Sequence, residues 1–486
     1  MAAAAAPIGA REAEKARFSE GYTRWALVLL MFIYTSNFID RTILATLGQA
    51  IKVDLKLSDA QLGLLQGIAF ALFYTILGIP VARLAERFNR VNILTVCLVI
   101  WSGMTALSGT AANFMQLAAY RFGVGVGEAG CAPSAQSLIA DYFPSAKRSS
   151  ALSVYAFGIP LGAMIGSISG GWIAEHMSWR IAFFIVGVPG LILAAIAKTL
   201  LREPQRGMSE VAGAAGQVGA APSLMDVARK LFRNKSFVHL TAGATLVSFV
   251  GYGVGGFAQP YFIRAFHLGL AQVGLVFGLI GGISAGLGTL VGGFLTDWAG
   301  RRDRRWYVWV PGIGFLVALP FYVSAYLAPS WIMAAAILAV PGVFAYTYLG
   351  PTFGVMHNLV EPRMRASATA LLFFILNLIG LGGGPFFTGL VSDILTQHAF
   401  AVQGLAVHGL GAFAAACPGG IAAKHAAPAL AHACAAASVI GVRRAILITY
   451  AFGLWGAAHF FFAARDLRAD MARAEREIGS TAAAST

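Results

Sequence analysis

The chain has 486 residues, of which 58% are hydrophobic and 12% are charged, and its formal net charge at pH 7 is +14. With a mean hydropathy of +0.72, this composition is typical of a polytopic membrane protein and excludes a soluble enzyme. The basic residues form short clusters between apolar stretches, so they indicate membrane orientation and argue against a nucleic-acid partner.

Apolar stretches of about 20 residues or more recur along the chain, as a hydrocarbon core of about 30 Å requires of a spanning helix. We therefore predict an all-α membrane protein with twelve transmembrane spans. The predicted spans are residues 24–48, 60–84, 91–112, 115–140, 149–174, 180–200, 237–263, 271–298, 305–327, 330–356, 366–395 and 444–464.

Lysine and arginine are distributed unevenly between the two sides of the predicted bundle. The side that holds both termini carries 26 of them, the opposite side carries seven, and two lie within spans. Because cytoplasmic loops are enriched in these residues, we predict that both termini are cytoplasmic. We expect no cleavable signal peptide, because the Ala-rich head leads directly into a span that is too long for a signal core.

The composition changes between spans 6 and 7. Residues 206–221 are rich in Gly and Ala without periodicity, which predicts a flexible linker, and residues 222–232 have the pattern of an amphipathic helix on the cytoplasmic membrane surface. The predicted units are an N-terminal tail 1–23, a first half 24–200, a linker 201–236, a second half 237–464 and a C-terminal tail 465–486.

Two motifs of the first half return in the second half in the same order. Residues 78–90, after span 2, are matched by residues 293–302, after span 8. Residues 144–151, before span 5, are matched by residues 362–368, before span 11. Ordered repeats of this kind predict two related halves around a central path, as in many secondary transporters.

Opposite charges lie well inside two of the apolar spans. Arg121 and Glu128 in span 4 are seven residues apart, which places them on one helix face, and Asp40 and Arg41 lie in span 1. A charge at the bilayer centre costs at least ~2.5–3.5 kcal/mol, so such residues normally have partners or face a wet cavity. The two segments are therefore predicted to meet.

Depth counted at 1.5 Å per residue places Asp40 opposite Arg121 and lets Arg41 reach Glu128. Our hypothesis is that proton binding to Asp40 or Glu128 weakens this network and allows the halves to rock. The sequence does not decide which of the two acids takes the proton, and a static structural ion cluster remains the alternative.

The second half contributes neutral and aromatic candidates instead of charged ones. A cavity that is charged on one wall and apolar or aromatic on the other suits an amphipathic molecule with a polar head and an acyl chain. Packing alone is the alternative role for each neutral residue. The predicted substrate contacts are Asn37, Arg41, Glu128, Tyr155, Tyr252, Gln259, Tyr346, Phe374 and Asn377.

The stretch 396–443 before span 12 is unusually long, and we expect a partly ordered periplasmic loop or cap. It holds Cys417 and Cys434. A disulfide between them is allowed in the periplasm, but sequence separation says nothing about geometry, so paired and free cysteines both remain open. The histidines of this stretch lack compact ligand spacing, so we predict no metal site and no cofactor.

Several of these motifs resemble the major facilitator superfamily over nearly the whole chain: the charged loops after spans 2 and 8, and GIPLG at residues 158–162. Within it, NFIDR at 37–41, ERFNR at 86–90 and GVGVGEA at 123–129 resemble the spinster group of lipid transporters and their bacterial relatives. The resemblance implies two pseudo-symmetric six-helix halves that work by alternating access. It also implies proton-linked symport of a lysophospholipid or sphingoid-type molecule across the bacterial inner membrane.

The resemblance further implies a cytoplasmic latch that closes when the cavity faces outward. A carboxylate at the end of one span can meet the positive end of a helix from the opposite half. Ala82 and Asn89 stand where the superfamily pattern favours glycine, and ordinary inside-positive loops are the alternative reading. The implied latch residues are Glu86, Arg87, Arg90, Asp297, Arg301, Arg148 and Arg365.

Two other functions remain open at this stage. The first is transport of a small organic anion or drug-like compound, with Arg41 and Arg121 as the anion contacts. The second is a membrane sensor that transports nothing. An enzyme is not expected, since no residues have catalytic spacing. The expected partners are the substrate, protons and membrane lipids, and we expect a monomer.

Overall fold

The computed structural model describes residues 18–206, 208, 223–361, 364–402 and 412–484, and every regular element within these ranges is helical. The helices of spans 1 to 6 are Glu20–Asp54; Asp59–Gln66 with Ile68–Arg87; Arg90–Ser108; Phe114–Glu128 with Cys131–Tyr142; Ser145–Ala156 with Gly158–His176; and Trp179–Leu200. The helices of spans 7 to 12 are Lys235–Phe266; Leu270–Gly300; Trp306–Tyr326; Trp331–Ala345 with Leu349–Asn358; Arg365–Ile375, the π-helix Leu376–Gly383 and Gly384–Ala401; and Pro428–Ala484.

Three short elements lie outside the spans: the amphipathic helix Leu224–Phe232, the helix Ala412–Ala416 and the 3₁₀ turn Pro418–Gly420. Among the described residues, eleven helical segments are long and apolar enough to cross a membrane. Span 4 is the twelfth crossing. It is divided near Gly130 and carries the buried charges Arg121 and Glu128.

The bounds of the predicted loop 396–443 were wrong. The helix of span 11 runs to Ala401 and the helix of span 12 begins at Pro428, so much of this stretch is helical. The cause is composition, because six of the nine residues 429–437 are alanine, the best helix former. The same helix continues through the predicted C-terminal tail to Ala484. Most of the predicted linker 206–221 and most of the N-terminal tail lie outside the described residues.

Small residues let the two halves pack closely at one end of the bundle. We call this end, opposite the chain termini, the loop end, and the other end the terminal end. In span 2, a Cβ atom added to Gly63 would collide with the backbone of Pro385, and one added to Gly67 would collide with the backbone of Gly382. Both partners belong to span 11, so this contact joins the two halves.

Spans 5 and 8 make the equivalent contact on the other side of the bundle. A Cβ atom added to Gly171 would collide with the carbonyl oxygen of Leu270, and one added to Gly274 would collide with that of Ser167. About two turns nearer the terminal end, Gly282 still lies near Met164, at 3.1 Å from the added Cβ atom. The contact between the halves is therefore continuous from the loop end to about this depth.

The halves separate towards the terminal end. Gly286 in span 8 follows Gly282 by one turn, and a Cβ atom added there meets nothing within 4 Å. Gly78 in span 2 follows Gly67 by about three turns on the same face, and its added Cβ atom also meets nothing within 4 Å. The structure is therefore closed at the loop end and open between the halves at the terminal end.

We predict that Gly63→Val opens the loop end, because the added side chain has no room against the backbone of Pro385. The measurement is pulsed electron paramagnetic resonance between labels at Met177 and Leu327, which are exposed loop residues of opposite halves. Longer distances should become populated. Gly78→Val in the same span is the matched control and should leave the distances unchanged. Equal distance distributions in the two variants would contradict the close contact.

Candidate functional site

A buried ion pair joins spans 1 and 4. The Nε–H of Arg41 donates to Oε2 of Glu128 at 2.7 Å. The Glu128 side chain is completely buried, whereas that of Arg41 keeps 18% of its surface accessible. These are the two residues that the depth count brings together, and the partly accessible guanidinium can contact a molecule in the space between the halves.

Aromatic rings surround the Arg41 guanidinium on its other sides. Its Cζ atom lies 4.6 Å from the ring centroid of Tyr74, 4.9 Å from that of Phe70 and 5.2 Å from that of Phe38. A cation is attracted to the face of such rings, more strongly when water is excluded. The rings and Glu128 together hold the arginine in one orientation.

Asp40 and Arg121 are both buried, but they form no ion pair in this state. Neither carboxylate oxygen of Asp40, nor Nε or Nη1 of Arg121, has a hydrogen-bond partner among the described residues. The predicted direct contact between these two residues is therefore absent here. The reason is orientation, since Asp40 faces Trp101 and Thr105 of span 3, whereas the Arg121 guanidinium lies 5.5 Å from the Phe70 ring.

Several buried polar atoms around the four charged residues of spans 1 and 4 have no hydrogen-bond partner in the described part of the chain. Buried polar atoms are normally hydrogen-bonded to protein or to ordered water. Those without a protein partner mark positions for water or for polar atoms of a ligand. Beside Asp40 and Arg121 they are Asn37 Nδ2, Glu128 Oε1, Trp101 Nε1, Thr105 Oγ1 and the Tyr155 hydroxyl. Tyr155 of span 5 stacks on Tyr34 of span 1 with ring centroids 4.3 Å apart, so the cluster of buried polar groups extends to span 5.

The second half contributes an aromatic wall. Tyr252 and Tyr346 keep 41% and 38% of their surface accessible although protein surrounds them, so both line an internal space. Tyr252 lies close enough to Arg41 and Tyr74 to interact electrostatically with them. Phe374 and Asn377 are half-buried in span 11, where the π-helix begins beside them at Leu376.

Gln259 lies elsewhere than the sequence predicts. Its Nε2 donates to Ser167 Oγ at 3.1 Å, and Ser167 lies 3.2 Å from the hydroxyl of Thr46. The side chain is therefore part of the closed contact between the halves and not of the aromatic wall. A position counted along an isolated span does not tell which neighbour the side chain will face.

A second charge cluster at the loop end was missed by sequence reasoning. Asp59 at the start of span 2 accepts a hydrogen bond from Lys52 Nζ at 2.6 Å and two from Arg264, at 2.9 and 2.7 Å. Ser392 Oγ donates to the same carboxylate at 2.7 Å. Because Arg264 and Ser392 belong to the second half, Asp59 links spans 1, 2, 7 and 11.

Asp393 completes this loop-end cluster. Its carboxylate accepts from the backbone N–H groups of Asp59 and Ala60 at 2.9 and 2.8 Å, so span 11 caps the helix of span 2. In the sequence, Asp59 follows Ser58 in a capping-box pattern and is therefore explained as a helix start. The sequence did offer one signal for this cluster. Basic residues are rare on this side of the bundle, and Lys52 and Arg264 are two of the seven.

The predicted latch belongs to a state in which the terminal end is closed, whereas this structure is open there. Arg90 is buried within the first half, where it donates to Glu203 Oε1 at 2.6 Å and to the carbonyl of Pro204 at 2.9 Å, and also binds Asp141. In this state Asp141 and Glu203 engage its guanidinium, and its role in a latch that closes when the cavity faces outward stays a prediction. Arg148 and Arg365 each donate to a carbonyl oxygen of their own half. The exposed members are Glu86, Arg87, Asp297, Arg301 and Arg365.

Cys417 and Cys434 form a disulfide. The turn that follows Cys417 rests on the loop end of span 1, where a Cβ atom added to Gly419 would lie 2.9 Å from the carbonyl oxygen of Lys52. The cross-linked segment thus covers the loop-end cluster. Within the described ranges, no group of three or more His, Cys, Asp or Glu residues is arranged to hold a metal ion.

The sequence model of the Major Facilitator Superfamily matches residues 30–385. The chain belongs to the Major Facilitator Superfamily. It is therefore a multi-pass integral membrane protein of a transporter family. The predicted fold class, twelve membrane helices in two pseudo-symmetric halves, is confirmed by this match together with the structural likeness described next.

Among solved structures, the chain is similar to a bacterial homologue of the human lysosomal transporter spinster in an inward-facing and unoccupied conformation. The two are 35% identical with a TM-score of 0.85, over 93% of this chain and 99% of that one. Among curated proteins, an MFS-type efflux pump of Mycolicibacterium smegmatis is 34% identical over 77% of this chain and 85% of that protein. The mouse sphingosine-1-phosphate transporter SPNS2 is 29% identical over 74% and 68%. The predicted resemblance to the spinster group is thereby confirmed.

We predict that Asp59→Asn weakens closure at the loop end, because Lys52 and Arg264 would lose the buried carboxylate that binds both of them. Removing one partner of a buried ion pair typically costs about 3–5 kcal/mol. The distance between labels at Met177 and Leu327 should lengthen. Asp54→Asn is the control, since Asp54 is half-exposed and pairs with Arg180 of the same half, and exposed pairs contribute about 0–1 kcal/mol. An unchanged distance in Asp59→Asn would argue against this role.

Proposed function

We propose that this protein is a proton-coupled secondary transporter that moves a lysophospholipid or sphingoid-type molecule across the inner membrane by alternating access. The observation that carries the proposal is that a charged surface of the first half faces an aromatic surface of the second half. A partly accessible Arg41 held by Glu128 faces a space that Tyr252 and Tyr346 line from the other half. A charged wall opposite an aromatic wall fits a molecule with a charged head and an apolar chain.

The head group binds at Arg41 in this proposal. A guanidinium donates two parallel hydrogen bonds to a phosphate or carboxylate, and it binds more strongly where water is excluded. The unpartnered Asn37 Nδ2 and Tyr155 hydroxyl offer further hydrogen bonds nearby. The acyl chain then lies along Tyr252, Tyr346 and Phe374 of the second half. The printed name of the mouse relative, a sphingosine-1-phosphate transporter, supports this substrate class.

Asp40 carries the transported proton in our proposal. It is 1% exposed and neither of its oxygens has a hydrogen-bond partner among the described residues, which is costly for a charged carboxylate and much less so for a protonated one. Loss of the proton creates an anion that attracts the unpaired guanidinium of Arg121. Because Arg121 and Arg41 share Glu128 as a neighbouring acid, this movement alters the pair that holds the substrate head.

The two ends of the bundle then open alternately. In this inward-facing state the Asp59 cluster holds the loop end closed, and it must separate before the loop end can open. Closure of the terminal end brings Glu86 and Asp297 towards span 11 and span 5 of the opposite half. The halves 24–200 and 237–464 rock about the linker 201–236, with both termini in the cytoplasm and with one chain as the working unit.

A second candidate function is export of a small organic anion or drug-like compound, with Arg41 and Arg121 as the anion contacts. It is favoured by one observation, the printed name of the mycobacterial relative as an efflux pump. The two candidates differ in chain-length dependence. A lipid transporter loses affinity when the acyl chain is shortened, whereas an anion transporter depends on head-group charge and ignores the chain.

We predict that a fluorescent lysolipid enters proteoliposomes faster with an inward proton gradient than without one, and that Asp40→Asn abolishes this stimulation. Asparagine cannot take up the proton, so Asp40→Asn should retain exchange in the absence of a gradient. Glu128→Gln should reduce uptake in both conditions, because Arg41 loses its partner. Asp303→Asn, outside the spans, serves as the control and should behave as wild type.

Stimulation that survives both Asp40→Asn and Glu128→Gln would remove the coupling role from this cluster. Complete absence of lysolipid flux in the wild-type protein would move the assignment to the small-anion candidate. If neither a lipid nor an organic anion crosses the membrane, the protein is better described as a sensor that transports nothing.

A further inference from the structure

A cavity lined by two arginines lies on the outer surface of the second half, away from the charge cluster of spans 1 and 4. Its volume is about 240 Å³, and it opens between the terminal ends of spans 9 and 12. The lining residues are Arg305, Trp309, Phe461, Ala464 and Arg465. Arg305 directly precedes the helix of span 9, and Arg465 follows Phe461 by about one helical turn.

The two arginines of this cavity lack anionic partners. No carboxylate lines the cavity, and neither Arg305 nor Arg465 forms an ion pair among the described residues. The Nε of Arg305 is buried without any hydrogen-bond partner. Arg465 lies over the ring of Phe462, with its Cζ atom 4.9 Å from the centroid. A buried and unsatisfied guanidinium nitrogen is costly, so the site favours an anion that supplies the missing acceptor.

The nearby acidic residues are engaged elsewhere. Asp303 accepts from the backbone N–H of Arg305 at 3.0 Å and from Arg468 Nε at 2.9 Å. Glu475 pairs with Arg304 at 2.6 Å. Asp303 lies close enough to Arg305 to interact electrostatically with it, but among the described residues it forms no ion pair with the Arg305 or Arg465 side chain. With two arginines and no carboxylate in its lining, the cavity keeps a local positive charge.

The surroundings of the cavity indicate which anion it takes. Trp309, Ile313 and Leu316 follow one face of span 9, and Ile313 and Leu316 are 40% and 41% exposed. An exposed apolar strip on a membrane helix faces lipid chains, and tryptophan is enriched at the level of the head groups. Basic pockets between membrane helices bind acidic lipid head groups. A free anion would contact only the arginines, whereas an anionic lipid would also contact the apolar strip.

We propose that this cavity binds the head-group phosphate of an anionic phospholipid from the surrounding bilayer. Arg305 and Arg465 donate to the phosphate oxygens, Trp309 and Phe461 pack against the glycerol region, and the acyl chains follow Ile313 and Leu316. The bound lipid bridges spans 9 and 12. It binds on the outer surface and is separate from the proposed transport substrate. The two proposals can therefore be tested independently.

The test is native mass spectrometry of the detergent-purified protein titrated with phosphatidylglycerol, phosphatidylcholine and inorganic phosphate. We expect phosphatidylglycerol to bind the wild-type protein, and Arg305→Gln with Arg465→Gln to weaken that binding at least about tenfold. Arg233→Gln with Arg476→Gln removes the same charge from exposed positions at the same end. This control should bind within about twofold of wild type.

Arg305→Lys with Arg465→Lys keeps the charge but loses the paired donors, and it should give intermediate affinity. It also covers the case in which the glutamine variant does not fold. Three results would overturn the proposal: unchanged phosphatidylglycerol binding in the glutamine variant, equal binding of phosphatidylcholine, or displacement of the lipid by inorganic phosphate at similar concentrations, which would make this a site for a free anion.

Discussion

The structure depends on keeping four charges inside a membrane protein. Asp40, Arg41, Arg121 and Glu128 together carry no net charge when all are ionised, yet only Arg41 and Glu128 form a direct pair. A lone charge in a bilayer costs several kcal/mol, so the remaining two groups require a proton, water or a ligand. A cluster left partly unsatisfied in one conformation is suited to respond to proton and substrate, because each of them supplies a missing partner.

The loop end differs from the central charge cluster, because its buried charges have partners. There, glycines bring the backbones of spans 2 and 11 together, and the Asp59 carboxylate satisfies charged and hydroxyl groups from both halves. Close packing and a saturated hydrogen-bond set favour one closed arrangement. At the terminal end the halves separate, Arg90 donates to Glu203, and Arg365 donates to the carbonyl oxygen of His357 in its own half. Saturation at one end and unpaired groups at the centre suit the alternating-access mechanism that we propose.

Local signals in the sequence were sufficient for much of this arrangement. Twelve apolar stretches predict the bundle, since hydrophobic length is a property of each segment alone. The seven-residue spacing of Arg121 and Glu128 fixes a shared helix face, and depth along two antiparallel spans identifies Arg41 as the partner of Glu128. These inferences need only helix geometry and the cost of burying charge.

The remaining features depend on contacts between distant segments. The Asp59 cluster gathers residues from four spans, and Asp59 already had a sufficient local explanation as part of a helix cap. Gln259 was expected to contact the substrate but lies in the closed contact between the halves, because tilt and rotation of a span are set by packing. The depth count also does not show that Asp40 faces Trp101 and Thr105 instead of Arg121, because side-chain orientation depends on the packing of the spans.

The most direct test of the central claim is the pH dependence of loop-end opening in membranes, measured by pulsed electron paramagnetic resonance between labels at Met177 and Leu327. Because the proton is assigned to Asp40 in the closed-loop-end state, lowering the pH should increase the closed population of the wild-type protein. Asp40→Asn should remove this dependence on pH. A pH response of equal size and direction in wild type and Asp40→Asn would contradict the account.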